Sequence, residues 1–322
     1  MKIVAIADIH GNPSWKKVVE KEEYDLLIFL GDYVSTHKKF TEQEQIDNLK
    51  DILDYKEENP DTVILLRGNH DLQHLGYDWA ECSGLFHKVQ DWLSKKANKQ
   101  RFLDNTQWVY VYDNIIFSHA GISKTWLNSL NLESKDLNDI NLIAPCEKFG
   151  FIPDSPFDYN GNSITQSCVW IRPEALMKDA LQGYTQVVGH TPVARITSTK
   201  EFEEETDIWL CDNMPYQYLV IDKGNIEAKY VDKPIIGLKN RYGSNVYLEH
   251  FNEDKWVLKG DDMALNYIGV SFLDNHIFSV DPEGGPFLRE GDSLIGFNKK
   301  IEAIEESNMG YVLTLKDESK TN

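Results

Sequence analysis

Long apolar runs are missing from this sequence. The N-terminal stretch MKIVAIADIHGN carries one basic residue and is broken by Asp8, so it is neither a secretory signal nor a membrane span, and a cytoplasmic location is expected. Cysteine is sparse. Cys82, Cys146, Cys168 and Cys211 lie far apart with no CxxC pair, which argues against a zinc knuckle or a disulfide scaffold and in favour of reduced, structural thiols. Positive charge is in deficit: 33 Lys and Arg face 52 Asp and Glu, a formal net charge of −19. Such a field repels a long polyanion unless a local basic groove overrides it, so a nucleic-acid polymer is a disfavoured partner. The field fades over about 8 Å at physiological salt, which leaves room for a small anion in a locally positive cleft. Internal repeats and low-complexity tracts are absent as well.

What is present is a chain of 322 residues, 41% of them hydrophobic, long enough for one large or two ordinary domains. KIVAIAD, DLLIFLGD and TVILLRGN are short, apolar and bounded by turn residues, and helix-like segments lie between them at 14–22 and 41–56. This is the pattern of βαβ units whose strands are buried on both faces. WVYVYDNIIFSHAG reads as two strands joined at Asp113-Asn114, with Trp108, Tyr110 and Tyr112 on one strand face. Residues 131–165, rich in Asn, Asp, Ser and Pro, read as an irregular excursion, either a lid or a passive insertion. YTQVVGHTPV and YQYLVIDKGNIEAKYV then restore the strand pattern. From residue 244 short strands alternate with Gly and Asn turns, so a first domain over 1–238 is expected to be followed by a small antiparallel β domain over 244–322.

Five strands of the first domain finish in a polar group: Asp8 and His10, Asp32, Asn69 and His70, His119, and His190. Gly and Asn are turn formers, and a single such ending is often a solvated loop. Five of them at one edge of an open α/β sheet, where ligands bind, point to a site. Asp8 and His10 are alternate residues of an extended segment and can reach one ion together. Carboxylate, imidazole and amide oxygen form a donor set suited to Mn, Fe or Zn and unlike the oxygen cage of calcium.

These motifs occur in order: DxHG at Asp8, His10 and Gly11, GDYV at Gly31–Val34, LRGNH at Leu66–His70, HAG at His119–Gly121 and GHTP at Gly189–Pro192. The chain resembles the calcineurin-like metallophosphoesterase superfamily, and within it the phosphoprotein-phosphatase (serine/threonine phosphatase) branch, over roughly residues 1–232. The resemblance implies an α/β fold, a metallophosphoesterase-type α/β/α sandwich, here followed by the C-terminal β domain. It implies two divalent metal ions, manganese first, with Asp8 and His10 on one, Asp32 bridging both, and Asn69, His119 and His190 on the other. Pro192 stands where other members carry a second histidine, so water must complete the first ion's shell. Two ions, two carboxylates and a bridging hydroxide leave a local excess of positive charge for phosphate, and that hydroxide is the expected nucleophile. His70 would be the general acid. Arg172, in VWIRPEAL, would clamp the phosphate through its planar fork of donors, the alternative being a surface arginine ahead of a helix. Arg67 would order its loop or pair with a carboxylate, and His74 would lie behind the ligands or at the surface.

The branch pattern GDxVDRG is written here as GDYVSTH, so Ser35 stands at the aspartate that orients the general acid, Thr36 at the phosphate-binding arginine and His37 at the glycine. His37, Lys38 or Lys39 would compensate as local cations, or form a solvated turn. The expected activity is hydrolysis of phosphomonoesters, a phosphorylated protein foremost, or of small phosphoesters. The alternatives are a nucleotide phosphodiesterase or dinucleoside polyphosphate hydrolase and, from another class, a catalytically weak binding scaffold.

Overall fold

Runs of β-branched and aliphatic residues with no polar interruption, such as KIVAI and LLIF, form strands that need cover on both faces. The computed structural model describes residues 1–35, 40–134, 136–152, 161–193, 196–202, 204–214 and 217–231, and as backbone strands 235–240, 245–252, 255–260, 270–271, 293–294, 299–307 and 310–317. The chain divides into two compact units, one of residues 1–192 and 196–229, the other of 193–195 and 230–322.

The strands of the first unit are β1 (Lys2–Ile6), β2 (Leu26–Phe29), β3 (Val63–Leu66), β4 (Thr106–Gln107), β5 (Val109–Tyr112), β6 (Ile115–Ser118), β7 (Thr185–Val188), β8 (Thr197–Ser198), β9 (Asp207–Leu210), β10 (Gln217–Asp222) and β11 (Asn225–Tyr230). They form two mixed sheets, in the orders β11-β10-β1-β2-β3-β4 and β5-β6-β7-β9-β8. In the first, β1 to β4 run parallel, while β10 lies antiparallel to β1 with Lys2 opposite Asp222. In the second, β6, β7 and β9 run parallel, flanked by antiparallel β5 and β8.

Alternation divides the burial of these strands. Ile3, Ala5, Ala7, Ile28 and Leu219 of the first sheet join Phe117 and Val187 of the second in a single apolar cluster. Phe29, on the opposite parity from Ile28, meets Trp15 of helix Trp15–Lys21 edge to face, at a ring separation of 5.7 Å. The crossover helix Glu42–Glu58 starts at a capping box, Thr41 with Glu44, and buries Ile46, Leu49, Ile52 and Leu53 along one stripe. The fold is thus α/β, with two sheets sharing a core and helices on the outer face of the first. Trp108, at the head of β5, stacks on Phe149 at 3.7 Å, and Tyr110 tilts against Phe117.

In the second unit all pairings are antiparallel, in the spatial order Val270–Ser271, Ile235–Asn240, Asn245–Asn252, Lys255–Gly260, Gly310–Asp317, Lys299–Ser307 and Ser293–Leu294. Strand Ile235–Asn240, in the stretch read from sequence as a link, pairs with Asn245–Asn252.

Candidate metal centre

Four of the six ligand candidates turn sharply off a strand end. Asp8, His10, Asp32 and His190 have φ values of 50°, 46°, 56° and 65°, in the left-handed region that Asp, Asn and His tolerate better than other side chains and that clusters at functional sites. Two loops are locked together by backbone bonds, His10 N–H to Asp32 O and Gly11 N–H to Tyr33 O, both at 2.8 Å. Two glycines give the backbone access to the carboxylates. A Cβ on Gly68 would collide with Asp32 Oδ1, and one on Gly189 with Asp8 Oδ2.

The outcome is two triads that share one residue. Ligand atoms of Asp8, His10 and Asp32 lie within 4.8 Å of one another, as do those of Asp32, His119 and His190. Asn69 joins the second triad, its Oδ1 at 3.0 Å from His119 Nε2. All six candidate ligands are therefore brought together, four of them buried carboxylate or imidazole groups.

Backbone carbonyls fix the histidine rings. His10 Nδ1 meets Val34 O at 2.9 Å, His119 Nδ1 meets Leu30 O at 2.8 Å, and His190 Nε2 meets Trp170 O at 3.2 Å. A nitrogen that faces a carbonyl carries the proton, so the opposite nitrogen of each ring presents a lone pair to the site. His119 Nε2 then faces Asn69 Oδ1 and, at 3.4 Å, Asp32 Oδ2. Acceptors gathered around one point with no hydrogen between them fit a cation. Charge points the same way. Burial, then repulsion from Asp212 and Asp32, pushes Asp8 well above the usual carboxylate range. Burial and Asp71 do the same to Asp32, and burial holds His119 at about 3, neutral and ready to ligate.

His70 follows Asn69 at the start of helix Asn69–His74, its ring centroid 5.4 Å from that of His10 and its backbone N–H on Asp32 Oδ1 at 3.0 Å. Arg172 is half-buried and reaches the same cleft. Its guanidinium donates to His190 O at 3.0 Å and Thr191 Oγ1 at 3.1 Å, and burial lowers its pKa against the opposing pull of Asp212, Asp8 and Asp32. Arg67 orders its loop and pairs with no carboxylate among the described residues. It donates to Thr106 and to Leu103 O and lies 4.6 Å over the Trp108 ring. His74 is fully buried behind the site, bonded to His70 O at 2.7 Å. Thr36, His37, Lys38 and Lys39 lie outside the described residues.

Three contributors have tasks that no motif reveals. Asp71, fully buried, accepts backbone N–H groups from Asp32, Tyr33 and Gly68 at 3.0, 2.9 and 2.8 Å, and from Val34 as well. It braces both ligand loops, while burial lifts its carboxyl to about 7. Asp212 follows β9 and adds a third carboxylate beside Asp8, lifted to about 7 by burial against the pull of Arg172. Its signal was a sixth strand, DIWLCD, ending in a polar residue. Cys82 has its Sγ 3.5 Å from His70 Nδ1, and no motif announces it.

Solved structures with similar folds include a cold-active protein-tyrosine phosphatase of a psychrophilic Shewanella species, 17% identical over 72% of this chain and 78% of that one with a TM-score of 0.48. A protein serine/threonine phosphatase from Saccharomyces cerevisiae is 14% identical, with 71% and 79% covered and a TM-score of 0.47. A metallophosphoesterase from Sphaerobacter thermophilus is 13% identical, with 72% and 89% covered and a TM-score of 0.37. No curated protein matches the chain. The family model of calcineurin-like phosphoesterases matches residues 1–213, the stretch that carries every candidate ligand described above, and the chain belongs to that family.

Proposed function

We propose that the chain is a dinuclear metal-dependent phosphatase that removes phosphate from serine or threonine side chains of a phosphorylated protein. The observation that carries this reading is the pair of ligand triads sharing Asp32. Asp8, His10 and Asp32 would hold one ion, and Asp32, Asn69, His119 and His190 the other. Manganese suits this mixture of nitrogen and oxygen donors, as do iron and zinc. When bound, the ions supply Lewis-acid polarisation of the phosphoryl group and an acidified water.

The chain's own groups have three tasks. Arg172, tethered to His190 O and Thr191, offers its remaining donors to the non-bridging phosphate oxygens. His70, whose Nδ1 is occupied by Cys82, delivers a proton from Nε2 to the departing alkoxide. The carbonyls of Leu30, Val34 and Trp170 keep the three ligand rings in one tautomer and orientation. No described helix is long and apolar enough to cross a membrane. The four cysteines form no disulfide, in keeping with work in the cytoplasm.

Hydrolysis of a phosphoserine peptide, an aryl phosphate and a nucleotide diester, each with manganese and with chelator, tests the reading. Manganese-dependent turnover of the two monoesters, with the diester left intact, is expected. Preference for the diester or for a dinucleoside polyphosphate would replace the phosphatase by a nucleotide hydrolase. A metal-loaded chain that turns over none of them would be a binding scaffold.

A further inference from the structure

The hydroxyl of Ser35 is turned to a structural task. Its Oγ donates to Gly84 O at 2.8 Å, and its backbone N–H donates to Gln45 Oε1 at 2.8 Å. The bond to Gly84 ties residues 81–86 to the loop that carries Asp32. Two more bonds fasten the same segment to helix Asn69–His74: Cys82 N–H to Gln73 Oε1 at 2.5 Å and Phe86 N–H to His74 Nε2 at 3.1 Å. So held, Cys82 sets its sulfur 3.5 Å from His70 Nδ1, and the Asn69 side chain hydrogen bonds to the same sulfur.

We propose that the Cys82 thiol is the positioning partner of His70 and fixes the ring so that Nε2 faces the leaving group. This rests on the reading of His70 as general acid. A thiol is both a weak donor and a weak acceptor. Its lone pair can accept Nδ1–H of the charged ring, and equally of the neutral ring that remains once Nε2 has given up its proton, so one side chain holds the ring before and after proton transfer. A neutral sulfur orients the ring without adding charge beside Asp32, where Asp8, Asp71 and Asp212 already crowd. Ser35 and Cys82 together thus form one device: the serine anchors the segment and the cysteine meets the imidazole.

The test compares the full-length chain with Cys82→Ala and Cys82→Ser, on phosphoserine and on nitrophenyl phosphate in manganese, and adds ¹⁵N spectra of the His70 ring in metal-free protein. Nitrophenolate leaves without a proton, so the ratio of phosphoserine to nitrophenyl kcat should fall about tenfold in Cys82→Ala, part of the roughly 10²–10⁴-fold that general acids supply. Cys82→Ser, which keeps a donor and an acceptor, should recover most of that ratio. The metal-free spectra should show the Nδ1–H tautomer of His70 in the wild type and a tautomer mixture in Cys82→Ala. An unchanged kcat ratio or an unchanged tautomer in Cys82→Ala overturns the inference. A wild type that hydrolyses neither ester overturns the phosphatase reading and this inference together, whereas an active wild type with an indifferent Cys82→Ala overturns this inference alone.

Discussion

Asp71 places a fully buried carboxylate under two ligand loops and satisfies four backbone N–H groups with it. An amide cannot do this, because its NH₂ would face donors. Asp71→Asn is expected to loosen both loops and weaken metal affinity about 10–100-fold, the usual cost of losing such a supporting partner, as read by calorimetric titration of manganese. His70→Asn separates the proton from the rest of the machinery. Turnover of phosphoserine should drop roughly 10²–10⁴-fold while that of nitrophenyl phosphate changes little, and equal losses on the two esters would assign His70 to metal or phosphate positioning. At this scale the sequence was partly legible. Asp8, His10, Asp32, Asn69, His119 and His190 each follow the end of an apolar run, and strand ends of a parallel sheet converge by topology. Asp71 was visible in the same motif without its task, since its four partners span residues 32–68. Cys82 was read as structural because its meeting with His70 depends on a loop whose path is set by Ser35, 49 residues from Gly84.

Among the elements, β1, β10 and β11 are joined to the end of helix Trp15–Lys21 through one carboxylate. Glu22 accepts from Lys2 Nζ at 2.7 Å, Tyr218 Oη at 2.8 Å and Lys229 Nζ at 3.1 Å. Burial opposes its charge, yet these three bonds outweigh burial and hold the carboxyl at about 2, below its ordinary 4.5. A depressed folded-state pKa stabilises the fold fully above the unfolded value, and the benefit is lost as pH falls from 4.5 through about 2. Glu22→Gln should therefore cost about 1–2 kcal/mol near pH 7, allowing for solvent screening of the lysines. Urea melts of wild type and variant should converge as pH drops below 4.5, and a gap that stays constant would refute the assignment. The strands and crossover helices were readable from their periodicity. Their division between two sheets was not, because Ile28 and Phe117 look alike in sequence and only their packing shows a shared cluster.

For the whole molecule, the family match ends at residue 213 and the first compact unit at 229. All six candidate ligands, Arg172 and His70 lie within that unit. A chain ending at residue 231 should fold cooperatively and retain manganese-dependent turnover of a small aryl phosphate. Aggregation, or loss of that turnover, would show that the C-terminal sheet completes the core or the cleft. The metal centre also has a schedule. Asp8 is joined to His190 across 182 residues, and β1 finds its antiparallel neighbour only in β10. A ribosome adding about 5–20 residues per second exposes Asp8 and His10 well before the chain can offer His190, so a nascent or interrupted polypeptide carries an incomplete donor set. Under the function proposed above, turnover would begin only once the last strands arrive.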